Sequence, residues 1–187
     1  MFTSALESLV SRVDYCPWGG AVGRVRRAPA RLYTSEQRRR RDESPWTVVQ
    51  AVLAPAQFAV FLVSLALVIR FLWTGQGEGA AVFSVVLKTA VLYLIMVTGS
   101  IWERDVFGRY LFAPAFFWED VVSMLVLGLH TAYLVTLLTG TLDAHGLMLL
   151  ALAAYATYVV NAGQFLIKLR AARRDASGWQ RGLGQFS

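Results

Sequence analysis

The chain has 187 residues, 18 Lys and Arg against 12 Asp and Glu, and a formal net charge of +6, yet 56% of it is hydrophobic and its mean hydropathy is +0.49. The charge sits at the ends: residues 1–46 and 167–187 each carry net +4, while the 120 residues between hold ten charged groups and a net of −2. An apolar block with charged flanks excludes a soluble globular domain, a disordered chain and a secreted disulfide scaffold.

The first segment, 1–46, reads as a basic cytoplasmic extension. Met1–Val13 carries Glu7 and Arg12 and lacks an unbroken apolar run, so it does not read as a secretory signal peptide. Leu6, Leu9, Val10 and Val13 have the spacing of a short interfacial helix. Cys16, the single cysteine, has no partner for an internal disulfide and lies outside the apolar block. Arg38–Arg41 has the composition of a nucleic-acid patch, but beside a membrane span such a run fixes topology and meets anionic lipid. No nucleic-acid partner is expected.

Four spans follow within a membrane domain at 47–168. A bilayer core of ~30 Å needs ~20 apolar residues of helix. The spans fall at about 48–73, closed by Trp73 and the Gly75–Gly79 turn; 80–102, interrupted by Lys88; 118–139, stopped by Gly140; and 146–168. Pro55 is expected to kink the first. Residues 169–187 form a basic tail. Sixteen of the eighteen Lys and Arg lie in the termini and the 103–114 connection. The positive-inside rule therefore puts both termini and that connection in the cytoplasm. The fold class is all-α: an integral membrane bundle of four transmembrane helices.

Polar residues inside the block are costly in lipid and are the place to look for function. Gln50, Gln57 and Ser64 share a face of the first span; Thr89, Tyr93 and Ser100 mark the second. On the third, Glu119, Ser123, His130 and Tyr133 fall within about 80° of one another. Thr157, Asn161, Gln164 and Lys168 make the stripe of the fourth. The antiparallel course brings Gln50, Ser100, Glu103, Glu119, Asp120, Ser123, Asn161 and Gln164 toward the cytoplasmic half, so a polar cavity opening that way is expected, with His130 deeper.

Structural readings stand beside the functional ones. Glu119 and Asp120 suit a helix start in headgroup water. Glu103 fits a solvated loop with Arg104, Asp105 and Arg109. His130 fits a packed core imidazole, Lys88 a snorkelling cation, and Asn161 and Gln164 plain interhelical bonding. Trp46, Trp73, Trp102 and Trp118 read as interface anchors. No hydrolase, zinc-protease, P-loop or dinucleotide motif is present.

Three stretches carry a resemblance: LYTSEQRRRRDESPWTVVQAVLAPAQF at 32–58, MVTGSIWERDVFGRYLFAPAFFWEDVVSMLVLGLHTAYL at 96–134, and YATYVVNAGQFLIKLRAARR at 155–174. Across roughly 33–174 the chain resembles the vinyl bacteriochlorophyllide hydratase family, membrane enzymes of bacteriochlorophyll biosynthesis. The resemblance implies water addition across the 3-vinyl group of a chlorophyllide or bacteriochlorophyllide, giving a 3-(1-hydroxyethyl) group. It implies no redox cofactor, the magnesium being the substrate's own, and a bacterial inner membrane shared with other enzymes of the pathway.

Such a reaction needs a proton donor, support for a cation beside the macrocycle, and a base to orient water. Glu119, Asp120 and Glu103 are the acid/base candidates, with His130 as a further acid/base or as axial ligand to the substrate magnesium. Asn161, Gln164 and Tyr158 are candidates to orient water or the ring, and Arg104 and Arg109 to receive the propionate. The contrasting expectation is a non-catalytic pigment-binding or scaffold subunit; a transporter fits less well, for want of inverted repeats.

Overall fold

Thr34 opens the first helix by a reciprocal cap: its hydroxyl accepts from Gln37 N–H at 3.2 Å, and the Gln37 side chain accepts from Thr34 N–H at 3.0 Å. This helix, α1 (Ser35–Glu43), belongs to the computed structural model, which describes residues 32–183. Cys16, the 1–31 extension with its expected interfacial helix, and the last four residues lie outside the described residues. The arginine run is thus helical. Arg39 and Arg40 bond Glu36, holding its carboxyl below the usual range, and Arg41 bonds Asp42 while its guanidinium lies 5.0 Å from the Tyr33 ring.

Pro45 then starts α2 (Pro45–Thr74), where a missing N–H costs nothing. The helix continues through Pro55. It is followed by α3 (Glu78–Phe107), α4 (Phe117–Thr139) and α5 (Ala144–Leu183). Gly75, Gly108 and Gly140 close α2, α3 and α4 with φ of 67°, 78° and 64°, the left-handed conformation that releases a helix end. Four helices, α2 to α5, are long and apolar enough to cross a membrane. The described residues contain no strand.

Each of the first two spanning helices outruns its sequence-based limits. At 30 residues, α2 and α3 are each about 45 Å long, beyond the ~30 Å hydrocarbon core. Hydropathy marks only the part in lipid, whereas hydrogen bonding carries the helix on. One consequence corrects the expected 103–114 connection: Glu103, Arg104 and Asp105 are on the last turns of α3, and the connection is 108–116.

The helices pair as two antiparallel hairpins, α2 with α3 and α4 with α5, which meet over a slighter seam. Polar rungs set the first register: Ser44 to Asp105 at 3.0 Å, Trp102 Nε1 to Thr47 at 2.9 Å, Gln50 to Thr98 at 2.8 Å, and Ser64 to Ser84 at 2.7 Å. The second is pinned by Asn161 to Ser123 at 2.9 Å and Lys168 to Glu119 at 2.6 Å. Across the seam Tyr155 bonds Ser64 at 2.6 Å and Tyr93 bonds Thr131 at 2.8 Å. Small residues with no exposure, Ala81 and Ala151, let backbones approach.

Large apolar side chains point outward, with Leu138 and Trp73 both 85% exposed, as lipid requires. Trp102 departs from its expected anchoring role. It is half-buried against Phe107 and Phe116, in an aromatic cluster with Tyr33 beneath the connection.

Ala151→Leu should lower stability by about 1–3 kcal/mol, because the site has no room for three more carbons. Leu138→Ala, on the lipid face, should change it by less than about 0.5 kcal/mol. Thermal unfolding of both variants in one detergent checks the contrast.

Candidate functional site

Two helix ends and one short connection build the first polar zone. Glu103 comes from the end of α3, Glu119 and Asp120 from the first turn of α4, and all three are buried. Their partners differ. Glu103 Oε1 accepts Ala113 N–H at 2.6 Å, and Asp120 Oδ2 accepts Phe112 N–H at 2.7 Å. Two successive amides of the connection are thus held by two carboxyl groups. Phe112 has φ 59°, an unfavourable conformation for a bulky residue, at a cost of about 1–3 kcal/mol that these bonds offset.

The two carboxyl groups therefore converge on the same two-residue segment. Glu119 has a different environment. Its Oε2 lies 2.6 Å from Lys168 Nζ, and the ammonium sits 4.8 Å from the centre of the Phe116 ring. The zone therefore contains two carboxyl groups that hold backbone amides and, one residue along, an ion pair.

Ser123 and Asn161 continue the zone inward. Asn161 donates to Ser123, leaving its Oδ1 without a partner among the described residues, and Gln164 Oε1 is likewise unpartnered and buried. Both are acceptors. Gln50 and Ser100 do not join them: Gln50 bonds Thr98 within the first hairpin, and Ser100 bonds the Val97 carbonyl of its own helix. A groove of about 390 Å³ beside Gln50's helix is lined by Val48, Val49, Val52, Leu53, Leu94 and Thr98, away from the acids. The eight residues expected around one cavity are therefore divided. Arg104 and Arg109 are exposed at the same end, and Arg104 stacks on Tyr110 at 4.7 Å while donating to its hydroxyl.

A second polar zone lies deeper, where the hairpins meet. His130 and Lys88 are both fully buried. Lys88 corrects the snorkelling expectation: Nζ is 3.8 Å from the centre of the Tyr158 ring, inside the bundle. Tyr158 is drawn here too, packed on Phe61 at 4.9 Å. Tyr155, Ser64 and Ser84 complete a hydrogen-bonded cluster at this level.

Sequence reasoning passed over Tyr155 and underrated Lys88. Tyr155, Tyr158 and Asn161 recur at three-residue steps on the fourth span, a signal of a common face. Nothing local distinguishes a lysine that turns inward from one that snorkels; that depends on the neighbouring ring.

Lys168→Met should destabilise the protein by about 1–3 kcal/mol by stranding the Glu119 carboxylate. Glu119→Gln combined with Lys168→Met should cost less than the two single changes added together. A double-mutant cycle by thermal unfolding measures the difference.

Comparisons with known proteins converge. The sequence model of the 2-vinyl bacteriochlorophyllide hydratase family matches residues 33–171. A protein of that name from Rhodobacter capsulatus is 65% identical over 146 residues, 78% of this chain and 85% of the relative. Another of the same name, from Cereibacter sphaeroides, is 63% identical over 151 residues, 80% of this chain and 93% of the relative. No solved structure matches.

Proposed function

Since the chain belongs to the 2-vinyl bacteriochlorophyllide hydratase family, we propose that it adds water across the vinyl group of a chlorophyllide or bacteriochlorophyllide. The group called 2-vinyl in the older ring numbering is the 3-vinyl group, and the product bears a 3-(1-hydroxyethyl) substituent. Addition of water is redox-neutral, so the reaction calls for no redox cofactor, and the magnesium enters with the substrate.

The observation that carries the chemistry is the convergence of two buried carboxyl groups, Glu103 and Asp120, on the successive amides of Ala113 and Phe112. One of the two donates its proton to the terminal vinyl carbon. The π-electrons form the new C–H bond, and positive charge develops on the carbon attached to the macrocycle. The carboxylate left behind stabilises that charge, which the ring also spreads. Water then forms the C–O bond at this carbon and returns a proton to the pair. One water is consumed and the acid is regenerated.

Other residues support the same step. The free acceptors Asn161 Oδ1 and Gln164 Oε1 suit a water that must present its lone pair to carbon. Glu119, paired to Lys168, is a fixed negative charge beside the pair and a second acid/base candidate. Arg104 and Arg109, exposed at this end, suit the substrate's free propionate. Tyr158 and His130, in the deeper zone, contact the ring rather than the vinyl group.

The charge pattern supports a bacterial inner-membrane protein with a domain at 47–168, a basic segment at 1–46, a basic tail at 169–187, and both termini with the 108–116 connection on the cytoplasmic side. The amphiphilic pigment reaches the acids from that side. Anionic lipid meets the arginines of α1, and other enzymes of bacteriochlorophyll biosynthesis are the partners that would supply and remove pigment.

Membrane-embedded protein should convert the 3-vinyl pigment to its hydroxyethyl form, seen as a blue shift of the red band and gain of one water by mass spectrometry. Binding without turnover would instead mark a pigment scaffold. Glu103→Gln and Asp120→Asn, assayed separately, should each lower kcat by about 100-fold or more. Wild-type rates in both would remove the pair from the chemistry.

A further inference from the structure

Four buried polar atoms at and around the seam between the hairpins have no hydrogen-bond partner among the described residues: Gln57 Oε1, Lys88 Nζ, His130 Nε2 and Tyr133 OH. His130, Lys88 and Tyr133 are fully buried and Gln57 is 3% exposed. Buried polar groups in folded proteins are nearly always satisfied, and exceptions concentrate where a ligand binds. None of the four serves the proton chemistry at Glu103 and Asp120.

His130 is the most informative. Its Nδ1 lies 2.8 Å from the Val126 carbonyl oxygen. A carbonyl can only accept, so Nδ1 carries the hydrogen and Nε2 presents its lone pair. An imidazole tethered to a backbone carbonyl through one nitrogen, with the other bare, is the arrangement typical of metal-ligating histidines. Its surroundings are aromatic. Tyr155 lies 5.9 Å from the imidazole centre, Phe61 is 5.3 Å from Tyr155, and Phe61 and Tyr158 are 4.9 Å apart. Aromatic faces with a few convergent polar groups suit a planar macrocycle that parts the two hairpins.

The packing also supplies a route in. Each hairpin is internally close-packed, whereas the seam between hairpins is slighter and is crossed by few hydrogen bonds. Orientation connects the seam to the acids. Side chains lean toward the start of their own helix, and α3 and α4 run antiparallel, so Glu103 and His130 lean toward each other. The rim of a ring centred at His130 is thereby brought toward Glu103.

We propose that the pigment enters between the two hairpins and that His130 Nε2 is the axial ligand of its central magnesium, displacing a solvent molecule. Lys88 Nζ, with three donors and no acceptor, meets an oxygen substituent of the same ring. The assignment rests on the hydratase reading for the kind of pigment, and it adds where and how that pigment is held.

The experiment uses full-length wild type and His130→Ala in lipid nanodiscs, titrated with magnesium 3-vinyl bacteriochlorophyllide and with its metal-free counterpart. Dissociation constants and the absorption band sensitive to axial coordination are read in both. Wild type should prefer the magnesium pigment and show a nitrogen-ligated spectrum. His130→Ala should lose about tenfold or more in affinity for it, keep wild-type affinity for the metal-free ring, and regain the ligated spectrum with added imidazole. Unchanged affinity and spectrum in His130→Ala, or an equal loss for both pigments, would overturn the assignment. Turnover by the wild type in the same nanodiscs separates the two readings: activity without metal preference sinks the ligand, and His130-dependent ligation without activity sinks the hydratase.

Discussion

Hydrocarbon has no hydrogen-bonding capacity, and this constraint organises the whole bundle. Beyond the first turns, backbone amides in the four spans are answered within their own helix, and most polar side chains on those helices are turned toward one another. Ser44, Thr47, Gln50 and Ser64 meet Asp105, Trp102, Thr98 and Ser84 in order along the first hairpin. In water such bonds would contribute little to register, since solvent competes for each group. In lipid a slip of α2 against α3 would leave all four rungs unsatisfied at once. The polar residues therefore determine alignment, while the apolar core of Val68, Val85 and Val126 determines how closely the helices pack.

Against that background, groups left without partners carry information. Around the 108–116 connection the acids are engaged: Glu103 and Asp120 hold two successive backbone amides, and Glu119 holds Lys168. The same bonds that fix the strained Phe112 fix the two carboxyl groups, so architecture and proposed chemistry share atoms. Removing either carboxyl perturbs both, which is why the conservative amide variants are the informative ones. Deeper in the seam the opposite holds. Lys88 Nζ, His130 Nε2 and Tyr133 OH are enclosed yet have no hydrogen-bond partner among the described residues, an arrangement better suited to receiving a ligand than to holding helices together.

Much of the helix layout was legible because lipid makes hydropathy nearly decisive. The four spans are where the apolar runs put them. The stripe Glu119, Ser123, His130 and Tyr133 is buried in full, as helical periodicity requires. The ends were less legible, since hydropathy falls at the headgroups while hydrogen bonding does not; hence Glu103 and Asp105 belong to a helix rather than a loop. The site was legible as a list of residue types and not as a set of contacts. Depth alone grouped Gln50 and Ser100 with the acids, and their rotation about the helix axis separates them.

By itself, then, the sequence determined an all-helical membrane bundle, its four spans, and the family whose chemistry it shares. These follow from run length, charge and motif, which are properties of the chain read locally. Only the tertiary structure decided which helices pair tightly, that Glu103 and Asp120 grip successive amides of the connection, that Lys88 turns in over Tyr158, and that His130 keeps one nitrogen bare. Each depends on the rotation and register of one helix against another. Those are set by many side chains acting together, and no short stretch of sequence encodes them.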